Sequence, residues 1–202
     1  MTTQLLQSLP DSGPPAQLFI LLHSAGSPAD DLLPLAKVLR DTFPQAALLL
    51  PTGFDTAAAL IDWVRGHQQR LGVGAAATAL AGFSQGGTVS LEAAVAAPEL
   101  VGRVLAFSSR FAQLPEAVPP RTTFHFFHGG QDTVIPARHA TAAFEHVAAL
   151  DEGDATLDIA DAVDHTLHPA LLERAVFRLT HHVPPRMWRE AMRLAAAPDH
   201  TA

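Results

Sequence analysis

The chain has 202 residues, 48% hydrophobic and 16% charged, a balance that suits one domain with its own core and argues against intrinsic disorder. With 13 Lys and Arg against 20 Asp and Glu, the net charge is −7 and no basic block appears, so nucleic acid is not an expected partner. Cysteine is absent, which excludes disulfides, thiolate metal sites and a cysteine nucleophile. At the start of the chain, Met1 to Ser8 lack a basic stretch followed by an apolar run, so no signal peptide is expected. Residues 1–16, which include the proline pair Pro14-Pro15, are expected to be a loose end.

From Leu18 onward, short apolar runs alternate with longer segments of helical pattern. A strand over Leu18–Leu22 precedes a helix over Asp30–Thr42, and a strand over Ala46–Leu50 precedes a helix starting near Asp55 and ending at Leu71. Then come a strand over Thr78–Phe83, a helix over Gln85–Ala97, and strands over Val104–Phe107 and Thr123–Phe127. A helix over Pro136–Leu150, a strand over Thr156–Ile159 and helices over His168–His182 and Pro185–Leu194 complete the pattern, with a loose end over 195–202. Pro34 and Pro136 fall near helix starts, where a missing N–H costs little. Several strands are apolar on consecutive positions, as strands buried on both faces are. The expected fold is α/β: a single domain over 1–202 with a mostly parallel sheet flanked by helices on both faces. No apolar run approaches the roughly 20 residues that span a bilayer, and a cytoplasmic location is expected.

Between the strand over Thr78–Phe83 and the helix that follows lies Gly82-Phe83-Ser84-Gln85-Gly86, a Gly-x-Ser-x-Gly sequence. A sharp strand-to-helix turn needs small residues on either side of the serine, and it lifts the hydroxyl out at the carboxyl end of the sheet. Ser84 is the expected nucleophile. A serine hydroxyl is weak until a base takes its proton, so an acid and a histidine are needed at the ends of later strands. Asp132 follows the strand Thr123–Phe127, and His165 follows the strand Thr156–Ile159. Among 11 histidines some candidate in the right order is inevitable, so position decides. His125 alternates within a strand, His128 opens the turn carrying Asp132, His139 and His146 lie on a helix, and His181 and His182 end one. His168 is the serious rival to His165, but it precedes Pro169 at a helix start, while Asp161 and Asp164 are rivals to Asp132 as the acid. The backbone N–H groups of Ala25, in the loop after the first buried strand, and of Gln85 are the expected oxyanion donors.

These stretches together resemble the phospholipase/carboxylesterase family of the α/β-hydrolase superfamily, which includes small bacterial esterases and acyl-protein thioesterases. The likeness rests on Leu21-Leu22-His23 with Gly26, Gly74 to Ser84 with Gln85-Gly86, Arg103 to Phe111, His128 to Pro136, and Thr156 to His165. It implies the α/β-hydrolase fold, with Ser84 as nucleophile, Asp132 as acid and His165 as base. The chain departs from the family pattern at Ser24, where glycine is usual, and after Pro51, where family members carry a longer, aromatic-rich segment.

The expected activity is that of a serine carboxylesterase acting on small or short-acyl esters through an acyl-enzyme, with no metal and no cofactor. Phe54, Phe111, Leu114 and Val134 are the expected substrate-lining residues. The alternatives are a non-catalytic hydrolase-fold binding protein and an acyl thioesterase. In the segment Val183 to Met192, Met187, Trp188, Ala191 and Met192 gather apolar mass on a short helix, expected to pack on its own domain, with a homodimer arm as the alternative.

Overall fold

The computed structural model describes residues 5–52, 54 and 56–195. Seven strands form one sheet: β1 (Leu5–Ser8), β2 (Gln17–Leu22), β3 (Ala46–Pro51), β4 (Thr78–Phe83), β5 (Arg103–Phe107), β6 (Thr123–Gly129) and β7 (Ala155–Ala160), in the spatial order β1-β3-β2-β4-β5-β6-β7. All neighbours pair in parallel except β1, which runs antiparallel to β3 with Leu5 opposite Pro51. The expectation of a loose end over 1–16 is therefore corrected at Leu5–Ser8. Two of its side chains, Leu5 and Leu6, are apolar, and Leu6 is 43% exposed, so the strand shows no hydrophobic period and is held by its ladder to β3. At the other end Ala195 closes the last helix, and 196–202 lie outside the described residues.

Among the described residues there are six α-helices, four of them between strands and two after the last: α1 (Leu33–Thr42), α2 (Ala57–Leu71), α3 (Gln85–Ala96), α4 (Arg138–Ala149), α5 (Pro169–His181) and α6 (Pro185–Ala195). Their ends follow local chemistry. Thr56 caps α2 by accepting the Ala59 N–H, and Gly72 ends it at φ +68°. Pro169 opens α5, and a short 3-10 turn over Ala29–Leu32 feeds α1. Asp55, near which the second helix was expected to start, lies outside the described residues.

Alternating strand residues separate two cores. Leu18, Ile20, Leu80, Val104, Phe124 and Phe126 face α2, α3 and α4 through Leu60, Val64, Leu91 and Val147. Phe19, Leu21, Leu48, Leu105, Phe107 and Phe127 face α1 and α5 through Leu35, Leu39, Leu171 and Leu172. Each such fully buried side chain is worth about 1.5–3 kcal/mol relative to exposure. Helices on both faces explain why the strands read as continuous apolar runs.

The chain crosses from β2 to β3 on one side and then to β4 on the other, so the strand order reverses at β2. Loops leaving the carboxyl ends of β2 and β4 diverge there, and the crevice between them is where ligands bind in open α/β sheets. Among the described residues no helix is long and apolar enough to cross a membrane.

Candidate active site

Ser84 stands between β4 and α3 at that crevice, with φ +54° and ψ −117°. This conformation is costly for a side chain with a Cβ, and the surroundings impose it. The Ser84 N–H donates to the Phe107 carbonyl at 2.9 Å, extending the ladder to β5. A Cβ at Gly82 would run into the Gly86 backbone, and one at Gly86 into the Leu22 carbonyl. The two glycines of the motif are thus required by how closely α3 passes over β4 and the end of β2.

Asp132 and His165 come from the turns after β6 and β7, adjacent strands held in register by Gly129 opposite Ala160. His165 Nδ1 donates to Asp132 Oδ2 at 2.7 Å, with the carboxylate side chain fully buried and the imidazole 17% exposed. The other carboxylate oxygen, Oδ1, accepts the backbone N–H groups of Val134 (2.9 Å) and Ile135 (2.8 Å). Burial alone would push the Asp132 carboxyl up, but the hydrogen bonds from His165, Ile135 and Val134 outweigh it, and the group is held below its ordinary range. His128 fastens the same turn by donating from Nε2 to the Ile135 carbonyl at 2.7 Å, with Asp132 Oδ2 at 3.3 Å from that nitrogen. The His165 ring rests on Phe83, the residue before Ser84, at 4.9 Å between ring centroids. With Nδ1 committed to Asp132, Nε2 is the nitrogen left to act as a base.

The rival histidine has another task. His168 caps α5, its Nδ1 accepting the Ala170 N–H at 3.2 Å. Of the rival acids, Asp164 accepts a hydrogen bond from the Thr166 hydroxyl at 2.8 Å, and both Asp161 and Asp164 are exposed. His125 is buried inside the sheet between Thr156 and Arg103.

Two clefts flank the elbow, sharing His23 as a common wall. One, of about 320 Å³, is lined by Ala25, Gly26, Gln85, Pro51 and Phe54, and so brings both expected oxyanion donors together. The Ser24–Ser27 turn that carries Ala25 closes with the Ser27 N–H on the Ser24 carbonyl, which also accepts from His23 Nδ1. The other, of about 470 Å³, lies between the Ala29–Leu32 turn and the loop after His165, with Leu32, Pro34, Phe83 and Leu167 among its walls.

Of the expected lining residues, Phe54 lines the smaller cleft with Gln85 and is braced edge-on by Trp63 at 5.4 Å. Phe111 does not: it is 5% exposed and packs into the core against Phe124 and Phe126, so it is a core residue. Leu114 and Val134 are 46% and 66% exposed and line neither cleft; Val134 contributes its backbone N–H to Asp132 instead. Sequence reasoning missed Leu32, Phe83 and Leu167 as walls, because apolar period assigns such residues to the core.

The sequence profile described as Phospholipase/Carboxylesterase matches residues 39–182. Esterase YpfH of Escherichia coli (strain K12) is 43% identical over 132 residues, a stretch covering 65% of this chain and 56% of that relative, so the match spans little more than half of its length. Among solved structures, esterase PE8 superposes with a TM-score of 0.74 at 23% identity, over 91% of this chain and 100% of that one. Zea mays acyl-protein thioesterase 2 does so with a TM-score of 0.69 at 14% identity, over 88% and 97%. Likenesses at these identities show the fold, which is that of the α/β-hydrolases.

Proposed function

Because the chain belongs to the phospholipase/carboxylesterase family, we propose that it is a serine carboxylesterase in which Ser84, His165 and Asp132 act as one triad. The observation that carries this reading is the 2.7 Å hydrogen bond between buried Asp132 and His165, set beside a serine held at positive φ. His165 Nε2 takes the Ser84 hydroxyl proton as Oγ bonds to the ester carbonyl carbon. The oxygen of the tetrahedral intermediate then turns toward the N–H groups of Ala25 and Gln85. The imidazolium, stabilised by Asp132, returns its proton to the departing alcohol oxygen as the C–O bond breaks. Water, deprotonated by the same Nε2, attacks the acyl-enzyme and frees the acid and Ser84.

The segment after β3 supports a short-acyl preference. Only residues 52–56 separate Pro51 from α2, and Phe54 is their one large apolar side chain. Each methylene that a wall buries is worth about 0.8 kcal/mol, so kcat/KM rises with acyl length only to the depth of that wall. Gain should cease beyond roughly four to six carbons in a p-nitrophenyl ester series.

The first test is labelling with a fluorophosphonate probe, which reacts only with an activated serine. Wild-type protein should label and hydrolyse short esters. The Ser84→Ala protein should do neither, with activity down by roughly 10⁴-fold or more and an unchanged unfolding midpoint. Retention of a tenth of the activity would refute Ser84 as nucleophile. An unlabelled wild-type protein would point to a binding module, and faster turnover of a thioester than of its matched oxygen ester would point to a thioesterase.

A further inference from the structure

The two clefts are chemically unequal, and the difference bears on which half of a substrate each receives. Catalytic geometry constrains the choice, granted the serine-esterase reading on which this inference rests. In the tetrahedral intermediate the oxyanion faces its N–H donors, and the leaving oxygen must face the base that protonates it. Ala25 and Gln85 line the cleft of about 320 Å³, and His165 lines the cleft of about 470 Å³. We propose that the larger cleft, between the Ala29–Leu32 turn and the His165–Leu167 loop, seats the leaving alcohol and selects bulky alcohols that are cationic or neutral over anionic ones.

Size and lining support bulk. Leu32, Pro34, Phe83 and Leu167 give this cleft an apolar floor, and its volume exceeds that beside the oxyanion donors. Its polar groups carry one sign of charge. Asp30 and Asp31, both exposed on the 3-10 turn, stand at its edge, and no Lys or Arg is among its lining residues. Among the described residues neither carboxylate has an ion-pair partner. The remaining titratable groups lining the cleft are the imidazoles of His23 and His165. A negatively lined cleft on a chain of net charge −7 raises the local concentration of cations and repels anions.

Three butyrate esters of similar alcohol size test this: butyrylcholine, its uncharged isostere 3,3-dimethylbutyl butyrate, and 3-sulfopropyl butyrate, with methyl butyrate as reference. At low salt, kcat/KM should be highest for the cation and lowest for the sulfonate, the two differing by about five-fold or more, and high salt should shrink the gap. In the Asp30→Asn/Asp31→Asn protein the cation-to-anion ratio should fall toward one. Leu167→Trp should lower the ratio of 3,3-dimethylbutyl to methyl butyrate, because the new side chain fills the floor. Equal rates for the three charge types, or a charge ratio unmoved by the double substitution, would overturn the charge selection. A bulky-to-methyl ratio unmoved by Leu167→Trp would overturn the seating of the alcohol. Methyl butyrate separates the two levels: if it is cleaved without alcohol discrimination only this inference falls, and if no ester is cleaved the esterase reading falls and takes this inference with it.

Discussion

Alanine at His165 removes the imidazole that Asp132 holds, whereas alanine at His168 removes only the acceptor that caps α5. On the proposed triad, ester hydrolysis should fall by roughly 10⁴-fold in His165→Ala, since such groups act as a unit. His168→Ala should keep most of its activity and lose about 0.5–1 kcal/mol of stability, read as a lower urea midpoint. Comparable activity losses in the two proteins would leave the base unassigned. The position of His168 directly ahead of Pro169 marks it in the sequence as a helix-start residue, and in the structure it caps α5. Phe111 was not separable in the same way. An aromatic residue just after a strand can line a pocket or fold back, and only packing against Phe124 and Phe126 decides.

Among the elements, α6 departs most from its sequence pattern. Its apolar residues Met187, Trp188, Met192 and Leu194 are between 59% and 66% exposed, and it lies on the domain through Arg186 to Asp154 and Arg189 to Glu152. An apolar stripe normally marks the packed face of a helix, so a helix docked by its charged side reverses the usual inference. The seat is prepared by the sheet. Asp154, 5% exposed, accepts hydrogen bonds from the Thr123 hydroxyl at 2.6 Å, from His182 at 3.0 Å and from Arg186 at 3.1 Å. Asp154→Ala removes the shared acceptor of those three donors and should destabilise the protein by about 2–4 kcal/mol in urea unfolding. A loss under about 0.5 kcal/mol would mean that the pairing with α6 is a surface contact without consequence. The strands β2 to β6 were legible because burial on both faces writes consecutive apolar residues; β7 and β1, at the two edges, are only partly covered, and β1 carries no apolar run.

At the scale of the molecule, two of the described histidines, His125 and His128, are buried, and folding opposes their protonation. The topology places both on β6, the strand before the acid-bearing turn. His125 Nε2 accepts from Arg103 at 3.1 Å, which leaves Nδ1 to donate to Thr156 Oγ1 at 2.8 Å. A second proton would break the arginine contact and set a cation against Arg103, with the His182 ring 5.3 Å away. Burial first, then Arg103, His182 and Arg178, push its pKa well below the ordinary value. His128 donates from Nε2, and its buried Nδ1 has no hydrogen-bond partner among the described residues, so a proton there would be unsatisfied. Burial lowers this group too, against the partial support of Ile135 and Asp132. In the unfolded chain both titrate near 6.5. Below that pH the unfolded state binds protons that the folded state refuses, so stability should fall with acidity, by up to about 1.4 kcal/mol per pH unit for each group. The depressed Asp132 carboxyl acts in the same direction at lower pH, stabilising above its unfolded pKa near 3.9 and losing that contribution as pH falls through its folded value. Urea unfolding at a series of pH values from neutral to about 5 should show a falling midpoint that starts near the unfolded histidine pKa. His125→Gln keeps an amide able to bond Arg103 and Thr156 but cannot titrate, so its midpoint should vary less steeply with pH than the wild type's. An equal slope in the two proteins would show that His125 takes up its proton without unfolding the sheet around it.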